Sequence, residues 1–483
     1  MSPAWRAWRI VLGGALLVTL ASAALWRPAR AEPDTAGVPG PSTALGYVGS
    51  SACLPCHPGE HASWSRTWHR TMTRVATNET VLAPFERRDG GVFYEGKRIV
   101  LTTGAHREQA YWTAGERGAL EILPVVYLPQ DKVVVPRRDA FILPPDAPLP
   151  TVRWGGSCIA CHAVAGEPHR DAAKDTWDTR AAELGVACEA CHGPGAAHAE
   201  QYRDPVARYS KSIADKRIIH PAKLDKARSN AVCGQCHAYA YPRDERGWWQ
   251  NGYSKTFRAG DTLGSSRTLL DPGAMNGEDG APEIDAPASA IFWPDGDVRV
   301  GGREFNGLVL SRCKATCVDC HSLHEGNPAG QLAPNRSCTT TCHTGPRMKT
   351  HSQHSETVGC ADCHMPKTSY ALLSGVRSHR ISIPRLDDDD GKPSACHLCH
   401  VDRDDWARDV GARGDAGVRA IVADALGAAR NEAYAAALLD TLSNDPYAAV
   451  RFIARRSRRK LHVATVTMMP ISMRDDRAIT IAE

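Results

Sequence analysis

A cysteine pair followed at once by a histidine recurs eight times along 483 residues. A chain punctuated this way must fold around whatever those triplets hold. Seven copies read C-x-x-C-H: Cys53/Cys56/His57, Cys158/Cys161/His162, Cys188/Cys191/His192, Cys233/Cys236/His237, Cys317/Cys320/His321, Cys360/Cys363/His364 and Cys396/Cys399/His400. The sixth in chain order, Cys338/Cys342/His343, has one extra residue between its cysteines. Two thiols and an adjacent imidazole at this spacing are the attachment signature of c-type haem. The sulfurs bond the vinyl groups, and the histidine ligates the iron from the proximal side. From 17 Cys and 20 His, chance would give roughly 0.02 such matches. Zinc ribbons also use C-x-x-C pairs, but they need four ligands per site and no histidine fixed after each pair. A disulfide framework suits an exported chain yet leaves the histidines unexplained. Eight covalently attached haems c are therefore expected, at sites numbered 1 to 8 in chain order.

The N-terminus reads as an export signal. Arg6 and Arg9 precede an apolar run from Ile10 to Trp26, and Ala29-Arg30-Ala31 is a small-x-small cleavage site. Residues 1–31 are expected to be a signal peptide; an uncleaved anchor to the inner membrane is the alternative, because the run is long for a signal. A periplasmic or otherwise exported chain fits thiols that receive haem outside the cytoplasm. Aromatic residues make up only 6% of the chain, little bulk for a core of this size. Buried porphyrins would supply the missing apolar surface, so the fold is expected to depend on its cofactor. A net charge of +4 is too mild to indicate nucleic acid.

Residues 32–46 form a Pro/Gly/Ala/Thr-rich linker, and the haem region is expected over 47–403. The long gap between sites 1 and 2 has strand character at Val92–Tyr94, Arg98–Thr102, Gln109–Thr113, Leu120–Leu128 and Lys132–Val135, so a small antiparallel β insertion is expected at about 81–155. The second gap, 238–312, is turn-rich and reads as loop with short strands. From 404 to 462 four short amphipathic helices are expected, Arg403–Val410, Ala416–Ala429, Glu432–Leu442 and Pro446–Leu461, suggesting HEAT-like units. Asp445-Pro446 suits an N-cap and first turn. The tail 463–483 reads as disordered. The fold class expected is mainly α with extensive loop. The run Arg455-Arg456-Ser457-Arg458-Arg459-Lys460 reads as a solvated helix face, with a docking patch as the alternative. Asp387–Asp390 reads as a solvated acidic loop rather than a calcium site.

The second axial ligand decides function. Iron with a histidine on each side is saturated and passes electrons, whereas an open iron can do chemistry. Twelve histidines are left after the proximal eight: His61, His69, His106, His169, His198, His220, His324, His351, His354, His379, His397 and His462. That is enough to close every iron. No C-x-x-C-K occurs, so the lysine-ligated haem of pentahaem nitrite reductases has no counterpart. His61 and His69 read as lying two turns apart on one helix. His198 follows a Gly-Pro-Gly turn that lets the backbone pass close to a porphyrin.

Several stretches resemble the cytochrome c-554-like multihaem family, within the wider group containing hydroxylamine oxidoreductase. They are Tyr47-Val-Gly-Ser-Ser-Ala-Cys53, the Cys-His-Gly-Pro-Gly-x-x-His run at 191–198, Cys320-His-Ser-Leu-His324, Cys363-His-Met-Pro-Lys367, and His379 before Ile-Pro. The resemblance covers roughly 47–403, and some relatives carry C-terminal helical repeats. It implies distal ligation by His69, His198, His324, His354 and His379, often to a haem attached elsewhere in the chain. His61, His169, His220 and His351 are weaker candidates; His106, His397 and His462 are expected not to ligate. Family members more often have four haems, and octahaem relatives include enzymes acting on hydroxylamine, nitrite or tetrathionate.

The expectation is an exported octahaem cytochrome relaying electrons between redox partner proteins. The alternative is an oxidoreductase of a small inorganic nitrogen or sulfur compound with one open haem. Cys313 is left over and is expected to be a buried, inert thiol, with an axial or catalytic thiolate as the alternative.

Overall fold

A computed structural model of the chain describes residues 37–461 apart from 146, 210–216, 276–287, 326–328, 331–336, 346–350, 353, 356, 386–390 and 404. The signal segment 1–31, the start of the linker, Asp387–Asp390, His462 and the tail 463–483 lie outside the described residues. Helix takes up 38% of the described residues and strand 17%. The expected mainly α chain is thus met only loosely: many helices of one or two turns stand beside one sizeable sheet.

That sheet is antiparallel and has seven strands: β1 (Thr73–Val75), β2 (Glu86–Arg88), β3 (Gly91–Tyr94), β4 (Lys97–Thr103), β5 (Gln109–Ala114), β6 (Leu120–Leu128) and β7 (Val133–Pro136). Consecutive strands pair from β2 to β7, and β1 pairs with the far end of β4. Register slips at Ile99/Leu101 and Ala110/Trp112 add twist and curl the sheet. Ile99 packs with Phe85, Tyr94 and Tyr111, whereas its neighbours Val100 and Leu101 belong with Trp112, Trp154 and Ile159. Burial on both faces accounts for the unbroken apolar run at 99–101. Ile159 stands between the two cysteines of site 2, so the sheet is a wall against which that site is set.

Towards the C-terminus four helices follow one another: α1 (Trp406–Arg413), α2 (Ala416–Leu426), α3 (Glu432–Leu442) and α4 (Ala448–Lys460). Asp415 starts α2 by accepting from the amides of Gly417 and Val418 at 2.8 and 3.2 Å. The helices share one core with the sheet, in which Ile421, Leu426, Leu439 and Ile453 join Val126, Leu128, Val135 and Leu373. Asp445 does not cap α4 as expected. Its carboxylate instead clamps Arg419 at 2.6 and 3.0 Å and takes the Tyr447 amide at 2.8 Å. The basic run on α4 is only in part a solvated face, with Arg459 and Lys460 exposed. Arg458 is buried and reaches Asp440 at 3.2 Å, while Arg456 and Arg459 face Asp131 at 3.9 and 3.6 Å. These charges line the seam between α4 and its neighbours. Among the described residues no helix is long and apolar enough to cross a membrane.

Candidate haem-binding sites

Each attachment triplet closes one turn of helix. The histidine amide donates to the carbonyl of the first cysteine: His57 to Cys53 at 2.9 Å, His162 to Cys158 at 2.9 Å, His321 to Cys317 at 2.9 Å and His400 to Cys396 at 2.7 Å. Spacing of i, i+3 and i+4 on a helical turn puts both thiols and the imidazole on one side. The widened site 6 reaches the same closure by a π turn over Cys338–Cys342, with the His343 amide on the Cys338 carbonyl at 2.8 Å. Intervening residues also help. Asp319 and Asp362 accept from the amides that precede their own helices, Thr316 at 2.7 Å and Gly359 at 2.8 Å. No two cysteines are joined in a disulfide. Among the described residues no group of three or more His, Cys, Asp or Glu converges as a bare-metal site.

Six proximal imidazoles each face a second imidazole across a gap of nearly constant width. Ring centroids are 6.2 Å apart for His57 and His198, His69 and His237, His192 and His324, and His351 and His364. They are 6.3 Å apart for His321 and His379 and 6.0 Å for His354 and His400. An iron held by two imidazole nitrogens at about 2 Å, with about 1.1 Å more from nitrogen to ring centre, spans roughly 6.2 Å. The residues present therefore fit bis-histidine haem. All five histidines carried over by resemblance stand in such pairs, and so does His351, one of the weaker candidates.

Supporting contacts hold four of these rings by Nδ1 and leave Nε2 for the gap. Nδ1 of His192 donates to the Ile219 carbonyl and that of His364 to the Ser382 carbonyl, both at 2.7 Å; His379 reaches the Arg377 carbonyl at 3.3 Å. His237 differs, since its Nδ1 pairs with the Glu304 carboxylate at 2.7 Å. Such outer contacts fix the tautomer and raise the basicity of a ligating imidazole. Burial, helped by the charges of His237 and His321, pushes His69 down to about 4, so its ring is neutral and able to ligate. Gly193, which ends the site 3 helix, has φ +78, and no atom lies within 4 Å of where a Cβ would stand. Backbone conformation, not a close approach, requires glycine there.

Other histidines have other work. His61 and His69 do not share a helix: Pro58–Trp64 ends and Trp68–Thr71 begins at the Thr67 cap, turning His69 towards His237 and leaving His61 beside Trp64. His106 stacks on Trp68 at 3.7 Å and His397 on Trp406 at 4.7 Å. His169 is taken by the buried Glu167 at 3.1 Å, and His220 is exposed ahead of a short 3₁₀ turn. Two proximal residues, His162 and His343, have no opposing histidine among the described residues. His343 is exposed. His162 is set deep, and burial holds it down to about 4 against the Met72 backbone, which raises it. Cys313 is half-buried and within electrostatic reach of Cys320 and Cys338.

The attachment sites touch one another in an order that differs from the chain. Cys53 of site 1 lies against Cys188 of site 3. The Cys161 and Cys236 sulfurs of sites 2 and 4 lie 3.9 and 3.8 Å from each other's backbone carbonyls. Cys233 lies against Cys317 of site 5, and Cys338 of site 6 lies against Cys360 of site 7. The site 7 and site 8 helices pack together.

Known proteins fit this geometry. The profile of the cytochrome c552 family matches residues 343–448, running without interruption from the site 6 histidine into α4. No curated protein matches the chain. Among solved structures, the outer cell wall cytochrome OcwA is similar with a TM-score of 0.51 and 16% identity, over 86% of this chain and 99% of that one. An undecahaem cytochrome from the S-layer of Carboxydothermus ferrireducens matches at a TM-score of 0.40 and 18% identity, over 86% of this chain and 68% of that one. The Wolinella succinogenes octahaem sulfite reductase MccA matches at 0.34 and 14%, over 74% of this chain and 60% of that one. The chain has the fold of a multihaem c-type cytochrome.

Proposed function

We propose that this chain is an exported octahaem c-type cytochrome that relays electrons through closely packed, mostly bis-histidine haems. The observation that carries the reading is the set of six opposed imidazole pairs at 6.0–6.3 Å. Haem at each site would supply one-electron chemistry. The chain's own contribution is to saturate most of the irons from both sides, hold His192, His237, His364 and His379 by Nδ1, and bring neighbouring attachment turns into contact. Redox proteins would meet the surface at sites with an exposed cysteine, such as Cys56 of site 1 or Cys399 of site 8, through a small transient interface. Periplasmic placement after cleavage near Ala31, a haem region over 47–403, a HEAT-like unit over 404–462 and kinship with the cytochrome c-554-like family belong to the same proposal. Peptide mass mapping combined with paramagnetic resonance tests it. Eight haem-bearing peptides and a majority of low-spin ferric signals are expected; bare thiols throughout would end the reading.

A second reading has its own support, since no described histidine opposes His162. A haem there would leave its iron open to a small nitrogen or sulfur compound, with the other sites moving electrons to or from it. High-spin ferric haem that turns low-spin with cyanide favours this oxidoreductase, whereas eight low-spin centres favour the relay.

A further inference from the structure

Resting on the octahaem reading, we propose that site 4 is the branch point of the relay. We further propose that Glu304, acting through His237, is the positioning residue that keeps its haem at a lower reduction potential than its neighbours.

The branch is visible in the packing. The helix Lys226–His237, which carries Cys233, Cys236 and His237, packs on the helices of sites 2, 3 and 5. Its two cysteines meet different sites: Cys236 lies 3.8 Å from the Cys161 carbonyl of site 2, and Cys233 lies against Cys317 of site 5. Sites 3 and 5 then lead towards the two ends of the array, and site 2 is a spur.

The potential follows from the partner of His237. The Nδ1 atoms of His192, His364 and His379 go to backbone carbonyls, which are neutral. His237 alone among the described proximal histidines donates to a carboxylate, at 2.7 Å. An anion there draws the Nδ1 proton towards itself and makes Nε2 a stronger donor. It also places a full negative charge near an iron that is more positive when ferric than when ferrous. Both effects favour the ferric state, so reduction by one electron becomes harder. Arg303 opposes this in part, because its guanidinium donates to the Cys236 carbonyl at 3.1 Å, but it does not touch the ligand. Glu304 also lies within electrostatic reach of His379 and His321 of site 5, where its effect is smaller. An electron then rests on the haems flanking the junction and crosses site 4 only in passing.

The test is a spectroelectrochemical titration of the full-length holoprotein and of Glu304→Gln. Gln still accepts from Nδ1 but carries no charge. One midpoint is expected to move upward with haem content and low-spin signals unchanged, and Glu304→Asp to keep it near the wild-type value. Unchanged midpoints in a fully loaded Glu304→Gln protein overturn the inference. Wild type gives an independent check: the last low-spin ferric signal to vanish on reduction should show the reduced largest g value of an imidazolate-like ligand, and an ordinary imidazole signal in that place overturns it too. Mass mapping of the Cys233/Cys236 peptide separates the two levels, since a peptide without haem removes the octahaem reading itself.

Discussion

The amide of His343 donates to the carbonyl of Cys338 at 2.8 Å, a closure over five residues that the other sites make over four. The extra residue is absorbed within a single π turn, so the imidazole leaves the turn as it does elsewhere. Replacing Cys338 and Cys342 together by Ser should remove one haem and leave the rest. Intact-protein mass reads this directly, and an unchanged mass would mean that site 6 never carried haem.

His351 faces His364 with ring centres 6.2 Å apart. His351→Ala should convert one low-spin ferric centre to high-spin and make it responsive to cyanide. His397→Ala, at a ring stacked on Trp406 and not opposed to a proximal histidine, should leave every centre low-spin or high-spin as before. Equal effects of the two variants would count against axial ligation by His351.

Asp445 holds Arg419 bidentately where the two side chains are 4% and 13% exposed. Removing one partner of a covered pair leaves the other charge uncompensated, at a cost of about 3 kcal/mol. Asp445→Ala should therefore lower the denaturant midpoint of the C-terminal helices, followed by helical ellipticity, while haem content stays constant. A loss below about 0.5 kcal/mol would place the pair among surface bridges.

Glu108 gives a pH dependence set by burial. Burial lifts its carboxyl from 4.5 to about 7, with Arg137 pulling weakly the other way. The folded chain thus binds this proton more tightly than the unfolded chain does. The contribution is fully present below 4.5, is lost as the pH climbs to about 7 and is level beyond. The loss is on the order of 3 kcal/mol. Glu108→Gln should flatten thermal stability across that window, and an unaltered slope would show that other groups cause it.

Sequence alone determined the attachment chemistry, because a thiol–thiol–imidazole set at i, i+3 and i+4 needs nothing beyond one turn of backbone. Strand periodicity marked most of the sheet for the same reason, since alternation and turn residues act locally. The partner of each iron was beyond local reach. His69 meets His237 and His198 meets His57 only because distant segments pack, and the Thr67 cap that redirects His69 carries no periodic signature. The basic run on α4 shows the same limit: its charges read as solvated until tertiary packing brings Asp131 and Asp440 against them. Which sites touch, which histidine stands alone and which imidazole meets a carboxylate were decided by the tertiary structure, because contacts between segments far apart in sequence are set by how buried surfaces fit together and leave no trace in the spacing of residues along the chain.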